Sequence, residues 1–152
     1  MRTIIVPATT EKFVARDKFM TKNSQVKICW LGENFMRYFL DKVEEPISET
    51  ALCYQELHGS RIDRQTITNE PDFEEKKETT LAELFSLMEK QKKGENGDLF
   101  TDGSANVFYV RDINNALRGI DVYWEHGGWN VRSLSITGKS KWSVDRRIFS
   151  RV

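Results

Sequence analysis

The chain has 152 residues, 39% of them hydrophobic and 30% charged, with 23 Lys and Arg balanced by 23 Asp and Glu. That length suffices for one domain with a buried core, the composition excludes a disordered chain, and no apolar run reaches the roughly 18 to 20 residues that span a bilayer. Zero net charge excludes the uniformly basic balance of a dedicated nucleic-acid binder, but the charge is unevenly spread: six basic against two acidic residues over 1–27, nine against sixteen over 28–98, eight against five over 99–152.

Residues 1–25 lack sustained periodicity and read as a loosely attached arm, with Phe13, Val14 and Phe19 spaced among charges. The opening apolar run is too short for a secretory signal, so a cytoplasmic protein with no membrane segment is expected. A single domain is expected over 26–152. Its first element, 26–31, is an apolar run ending at Gly32 and reads as a buried strand. Asn34 can cap a helix in which Phe35, Met36, Phe39, Leu40 and Val43 recur on one stripe, closed by Pro46. Residues 50–58 alternate as a strand, with Leu52 and Tyr54 on one face and Cys53 and Leu57 on the other. Gly59-Ser60 is a turn signal, and 61–68 reads as the returning strand.

After a charged loop containing Pro71, Thr80 and Glu83 have the spacing of a capping box, in which each satisfies one orphan backbone N–H. Leu81, Leu84, Phe85 and Met88 form the stripe of that second helix, and Gly94 suits its C-terminal cap. The last third reads as a β-meander with strands over 105–110, 117–124 and 129–136. Asn114-Asn115 and Gly127-Gly128 supply its turns, and a closing strand follows over 146–150. The predicted fold is α+β, with two amphipathic helices packed on a mainly antiparallel sheet that ends in the meander.

The motifs that suggest chemistry fail when their spacing is tested. Gly138-Lys139-Ser140 matches the tail of a phosphate-binding loop, but the position five before Gly138 is Ser133 rather than Gly, and no helical stripe follows. T-G-K-S therefore reads as a hairpin turn. A calcium loop with Gly103 at its sixth position would put Phe100 at the third and Tyr109 at the twelfth, where oxygen ligands are needed. Cys29 and Cys53, each in an apolar segment, read as buried reduced thiols. With His58 and His126 they lack zinc spacing. No cofactor or metal is expected. Cys53 with His126 and Asp121 is a formal triad without local support, and an enzyme site around His126, Asp121 and Glu125 requires these groups to converge in a pocket.

The C-terminal segment combines aromatic and basic residues: Trp129, Trp142 and Phe149 among Arg132, Lys139, Lys141, Arg146, Arg147 and Arg151. Bases can stack on such rings while cations hold phosphates, which makes nucleic-acid binding through these strands the alternative function. The leading expectation is a non-enzymatic binding or adaptor domain whose partner is another protein. Its anchor is whichever of Trp30, Trp124, Trp129 and Trp142 is exposed, since aromatics and Arg favour interface centres. The candidate binding residues are Trp124, Trp129, Arg132, Lys139, Lys141, Trp142, Arg146 and Arg147.

The segments EKFVARDKF, VKICWLGENFMRYFLDKVEEP, TLAELFSLMEKQ, the stretch 97–124, GGWNV and RRIFSR together resemble short hypothetical proteins of candidate-phyla bacteria known from metagenomes. The resemblance covers nearly the whole chain. It implies a small stand-alone bacterial protein and carries over no activity and no site residue.

Overall fold

The computed structural model describes residues 2–57, 73–134 and 145–152. In chain order these form β1 (Ile4–Val6), β2 (Phe13–Val14), α1 (Ala15–Lys18), β3 (Ile28–Leu31), α2 (Glu33–Phe39), β4 (Val43–Glu44) and β5 (Thr50–Leu57). There follow α3 (Phe73–Lys76), β6 (Glu78–Thr79), α4 (Leu81–Glu89), β7 (Ala105–Arg111), β8 (Leu117–Glu125), β9 (Gly128–Leu134) and β10 (Arg146–Arg151). Helices together with a mainly antiparallel sheet place the chain in the mixed α+β class that its sequence predicts.

Eight of the described strands make one sheet in the order β1-β5-β10-β7-β8-β9-β3, with β6 also beside β7, and β2 and β4 pair as a separate ribbon. Neighbours are antiparallel except β10 with β7, β6 with β7, and β3 with β9. One sheet face carries Phe149, Phe108, Ile120, Val122, Trp129 and Val131 into the main core, where they meet Phe35 and Phe39 of α2 and the buried leucines of α4. Rings order this core. Phe108 stacks on Phe149 at 4.7 Å, and Phe19 meets Phe35 at 4.9 Å and Phe85 at 5.2 Å. On the opposite face Leu57, Phe73, Ala105, Val107 and Ile148 form a smaller cluster.

The start of α4 shows how local sequence and tertiary contact combine. Thr80 and Glu83 form the predicted capping box, with Glu83 N–H donating to Thr80 Oγ1 at 3.2 Å and Thr80 N–H to Glu83 Oε1 at 2.8 Å. The two preceding orphan donors, the N–H groups of Leu81 and Ala82, are taken by the buried Glu44 carboxylate at 2.9 Å each. A carboxylate at a helix N-terminus also opposes the positive end of the helix dipole.

Several expectations differ from the structure. The segment expected as a loose arm supplies edge strand β1, paired with β5, and the fully packed Phe19, because three to four apolar residues suffice when a tertiary surface receives them. The N-cap of α2 is Gly32 rather than Asn34, and the helix ends at Phe39 because the chain then turns into β4 to pair with β2. Helix α4 ends at Glu89, so Gly94 lies beyond its cap. There, at φ 73°, it leaves room for the Trp124 ring, which a Cβ would approach to 2.5 Å. The closing strand β10 does not extend the series β7, β8, β9 but inserts between β5 and β7. The strand expected over 61–68 and the turn at Thr137-Gly138-Lys139-Ser140 lie outside the described residues.

Candidate interaction site at the β3 edge

Strand β3 ends the sheet and has a strand neighbour, β9, on one side only among the described residues. Its pairing is irregular. Ile28 opposes Trp129, but Trp30 opposes Asn130, the very next residue of β9, so Cys29 is an extra residue bulged out of the ladder. A strand alternates faces, and an inserted residue reverses the alternation beyond it. Ile28 therefore points into the core with Trp129, while Trp30 is turned to the opposite face, where Asn130 and Arg132 lie. The tip of its indole lies by Gly32, 3.1 Å from where a Cβ on that residue would stand. Trp30 is left 45% exposed.

The neighbouring hairpin fixes the other wall. Between β8 and β9, His126 and Gly127 both have positive φ, 57° and 76°, the pair required by the tight turn that matches strand twist. The Asn130 amide donates to the carbonyls of Glu125 and Gly128 at 3.0 Å each, tying the turn to its own strand. The Cys29 thiol is 3.5 Å from Asn130 Oδ1 and 3.6 Å from the Glu125 carbonyl. This approach requires Gly128, where a Cβ would lie 2.8 Å from Cys29 Cβ. Cys29, Trp30, Tyr123, Glu125, His126 and Asn130 thus line a shallow open hollow of about 430 Å³.

Behind the hollow, Asp121 and Arg132 face each other across β8 and β9. Arg132 Nε and Nη2 both reach Asp121 Oδ2, at 3.0 and 2.9 Å, and its guanidinium lies 5.0 Å from the centre of the Tyr123 ring. Asp121 Oδ1 is buried and lacks a hydrogen bond of normal geometry. Burial pushes the Asp121 carboxyl up to about 6 against the lowering influence of Arg132 and the Asn106 backbone. The Tyr123 phenol is raised too, by burial first and then, against Arg132, by Asp121 and Glu125.

The residues proposed from sequence do not converge. Trp129 is fully buried, edge-on to Trp124 at 5.3 Å, with its indole N–H donating to the Gln91 carbonyl at 2.8 Å. It is core, and Trp124 packs partly buried against the same cluster. Arg146 is only 3% exposed. Arg147 bonds Glu56 and the Asp98 carbonyl and lies over the Tyr54 and Phe100 rings. Of this set Arg132 alone borders the hollow, and it is paired with Asp121. Lys139, Lys141 and Trp142 lie outside the described residues. The Cys29 expected to be buried is exposed, because the bulge lifts it out of the ladder; Cys53 is buried beside Ser150.

Of the catalytic candidates, Glu125 and His126 both line the hollow, but Asp121 and Cys53 do not join them there. Asp121 and Glu125 are four residues apart on one extended strand, about 13 Å, and His126 sits beyond on the turn tip. Cys53 is three strands from β8, about 14 Å at the usual spacing. Among the described residues no group of three His, Cys, Asp or Glu is placed to hold a metal ion, and no helix is long and apolar enough to cross a membrane. The hollow itself was missed in sequence, where ICWL is indistinguishable from a core strand. The one available signal was the pair of glycines opposite it, Gly127 and Gly128. No family model, curated protein or solved structure matches the chain.

Proposed function

We propose that the chain is a non-enzymatic binding module that engages a protein partner at the β3 edge. The observation that carries this reading is the bulge at Cys29, which turns Trp30 out of the core onto an edge strand. Leaving about half an indole in water forgoes on the order of 1–2 kcal/mol of burial, which a regular strand would have kept. A partner that covers Trp30 recovers that energy, and tryptophan is the residue type most enriched at the centres of interfaces. The unpaired side of β3 offers backbone donors and acceptors to an extended segment, the β-augmentation mode in which main-chain bonds give affinity and side-chain hollows give specificity. Nucleic-acid binding draws no support from the described candidate arginines: Arg146 is buried, Arg132 is held by Asp121, and Arg147 is held by Glu56 and the Asp98 carbonyl.

The test is selection of displayed extended heptapeptides against the full chain, followed by mapping of the amide resonances that move. The expected binders perturb β3, β9 and the turn at residues 125–128, and lose at least tenfold in affinity with Trp30→Ala while the thermal midpoint is unchanged. Binders that map elsewhere, or that tolerate Trp30→Ala, would overturn the assignment. Salt-sensitive capture of a single-stranded oligonucleotide, with no peptide selected, would put the alternative in first place.

A further inference from the structure

The chemistry of the hollow also specifies what a partner places in it, an inference that rests on the reading above. Two aromatic side chains, Trp30 and Tyr123, line it together with the Glu125 carboxylate. Glu125 makes no hydrogen bond or ion pair among the described residues, so its charge is available. The other acid nearby, Asp121, is engaged by Arg132, whose guanidinium already lies 5.0 Å from the centre of the Tyr123 ring, so the ring left for a partner's cation is Trp30. Lys27 approaches the turn from the side of Gly127 and is not part of the lining. Of the donors at the wall, the Asn130 amide N–H groups are spent on Glu125 and Gly128 and the Cys29 thiol points to Asn130 and the Glu125 carbonyl, while the Trp30 indole N–H, the Tyr123 hydroxyl and the His126 ring stay uncommitted among the described residues.

We propose that this hollow receives the ammonium group of a lysine side chain on the partner's extended segment. The exposed indole presents a negative π face that attracts a cation, and a carboxylate at the rim supplies the counter-charge and discriminates against a neutral side chain. An incoming carboxylate would be repelled by Glu125, the one unpaired charge among the acidic and basic side chains of the described lining. An aliphatic group would leave Glu125 beside an apolar surface without a partner. Phosphate recognition by a fork of arginines has no counterpart in this lining, and Glu125 would repel the anion.

The experiment uses the full chain and two small probes, Nα-acetyl-lysine methylamide and its neutral analogue Nα-acetyl-norleucine methylamide, one heavy atom shorter. The Trp30 indole N–H resonance is assigned by its loss in Trp30→Phe. The expected result is a saturable shift of that resonance with the lysine probe, at least fivefold weaker with norleucine, and at least fivefold weaker again in Glu125→Gln at an unchanged thermal midpoint. Equal response to both probes, or an unchanged lysine titration in Glu125→Gln, would overturn the proposal. Neither probe can add a strand, so the two readings separate. A lysine-selective hollow on a chain that binds no extended peptide sinks the β-edge function alone. Peptide binders at β3 with no preference for lysine sink the cation site alone.

Discussion

Glu83 and Asp121 are both buried carboxylates met by an arginine, at opposite ends of the same sheet, and they are satisfied to different degrees. Near β1, Glu83 accepts from the Thr80 N–H, the Thr80 hydroxyl and both arms of Arg151, so each oxygen is occupied. Near β3, Arg132 bonds one oxygen of Asp121 and leaves the other buried and unfilled. The edges follow the same contrast. At β1 the outward carbonyl of Ile5 takes the Lys90 ammonium at 2.9 Å, a charged cover of the kind that blunts exposed strands. At β3 the edge carries an indole and a bulge. One end uses its polar groups to hold the fold together, and the other keeps surface and charge available to something outside it.

The sharpest way to break this contrast is at the satisfied end. Replacing Glu83 by Ala removes the second half of the α4 cap and the partner of the half-exposed Arg151, which can turn to water, with an expected loss of about 3 kcal/mol in denaturant unfolding. The Trp30 environment should be unaffected. A loss below about 1 kcal/mol would mean that the β1 end is held by apolar packing alone.

Asp121 gives the next largest effect, and its sign is set by the raised pKa. A carboxyl that titrates at about 6 when folded, against 3.8 in the open chain, binds its proton more tightly in the folded state. Its contribution is fully present below pH 3.8 and is lost as pH rises through 6, a swing of up to about 3 kcal/mol. The difference in unfolding free energy between the protein and Asp121→Asn, measured from pH 4 to 7, should show that slope. A difference independent of pH would show that Arg132 compensates the charge completely.

The smallest effect sharpens the comparison of edges. Lys90→Ala removes one exposed charged hydrogen bond and should cost only about 0.5–1 kcal/mol. It uncovers the β1 edge, however, so sedimentation should reveal more association than in the parent chain. If association is unchanged, the short length of β1 protects that edge and the lysine does not.

What the sequence revealed follows the range of the interactions involved. The capping box at Thr80 and Glu83 was legible because both partners lie within one helical turn. The strands at 105–111, 117–125 and 128–134 were legible because alternation and turn residues are local. The exposure of Trp30 was not, since it depends on where one strand meets another and on a single inserted residue. Trp129, a candidate anchor by its aromatic and basic neighbourhood in sequence and a core residue by its place in a short strand, is a buried ring in space. The position of β10 was illegible for the same reason, as nothing in RRIFSR names β5 and β7 as its neighbours.

That position has a consequence in time. Cys53 and Ser150, which face each other in the finished sheet, are 97 residues apart. At ordinary rates of synthesis, β5 would emerge about 5–20 s before the strand that belongs beside it. For that interval the pair formed by β1 and β5 has one whole side unpaired, and neither the stacked rings of Phe108 and Phe149 nor the bonds from Arg151 to Glu83 can form. Closure at such sequence separation is slow, and it makes the nascent chain, rather than the folded protein, the stage most exposed to wrong pairings.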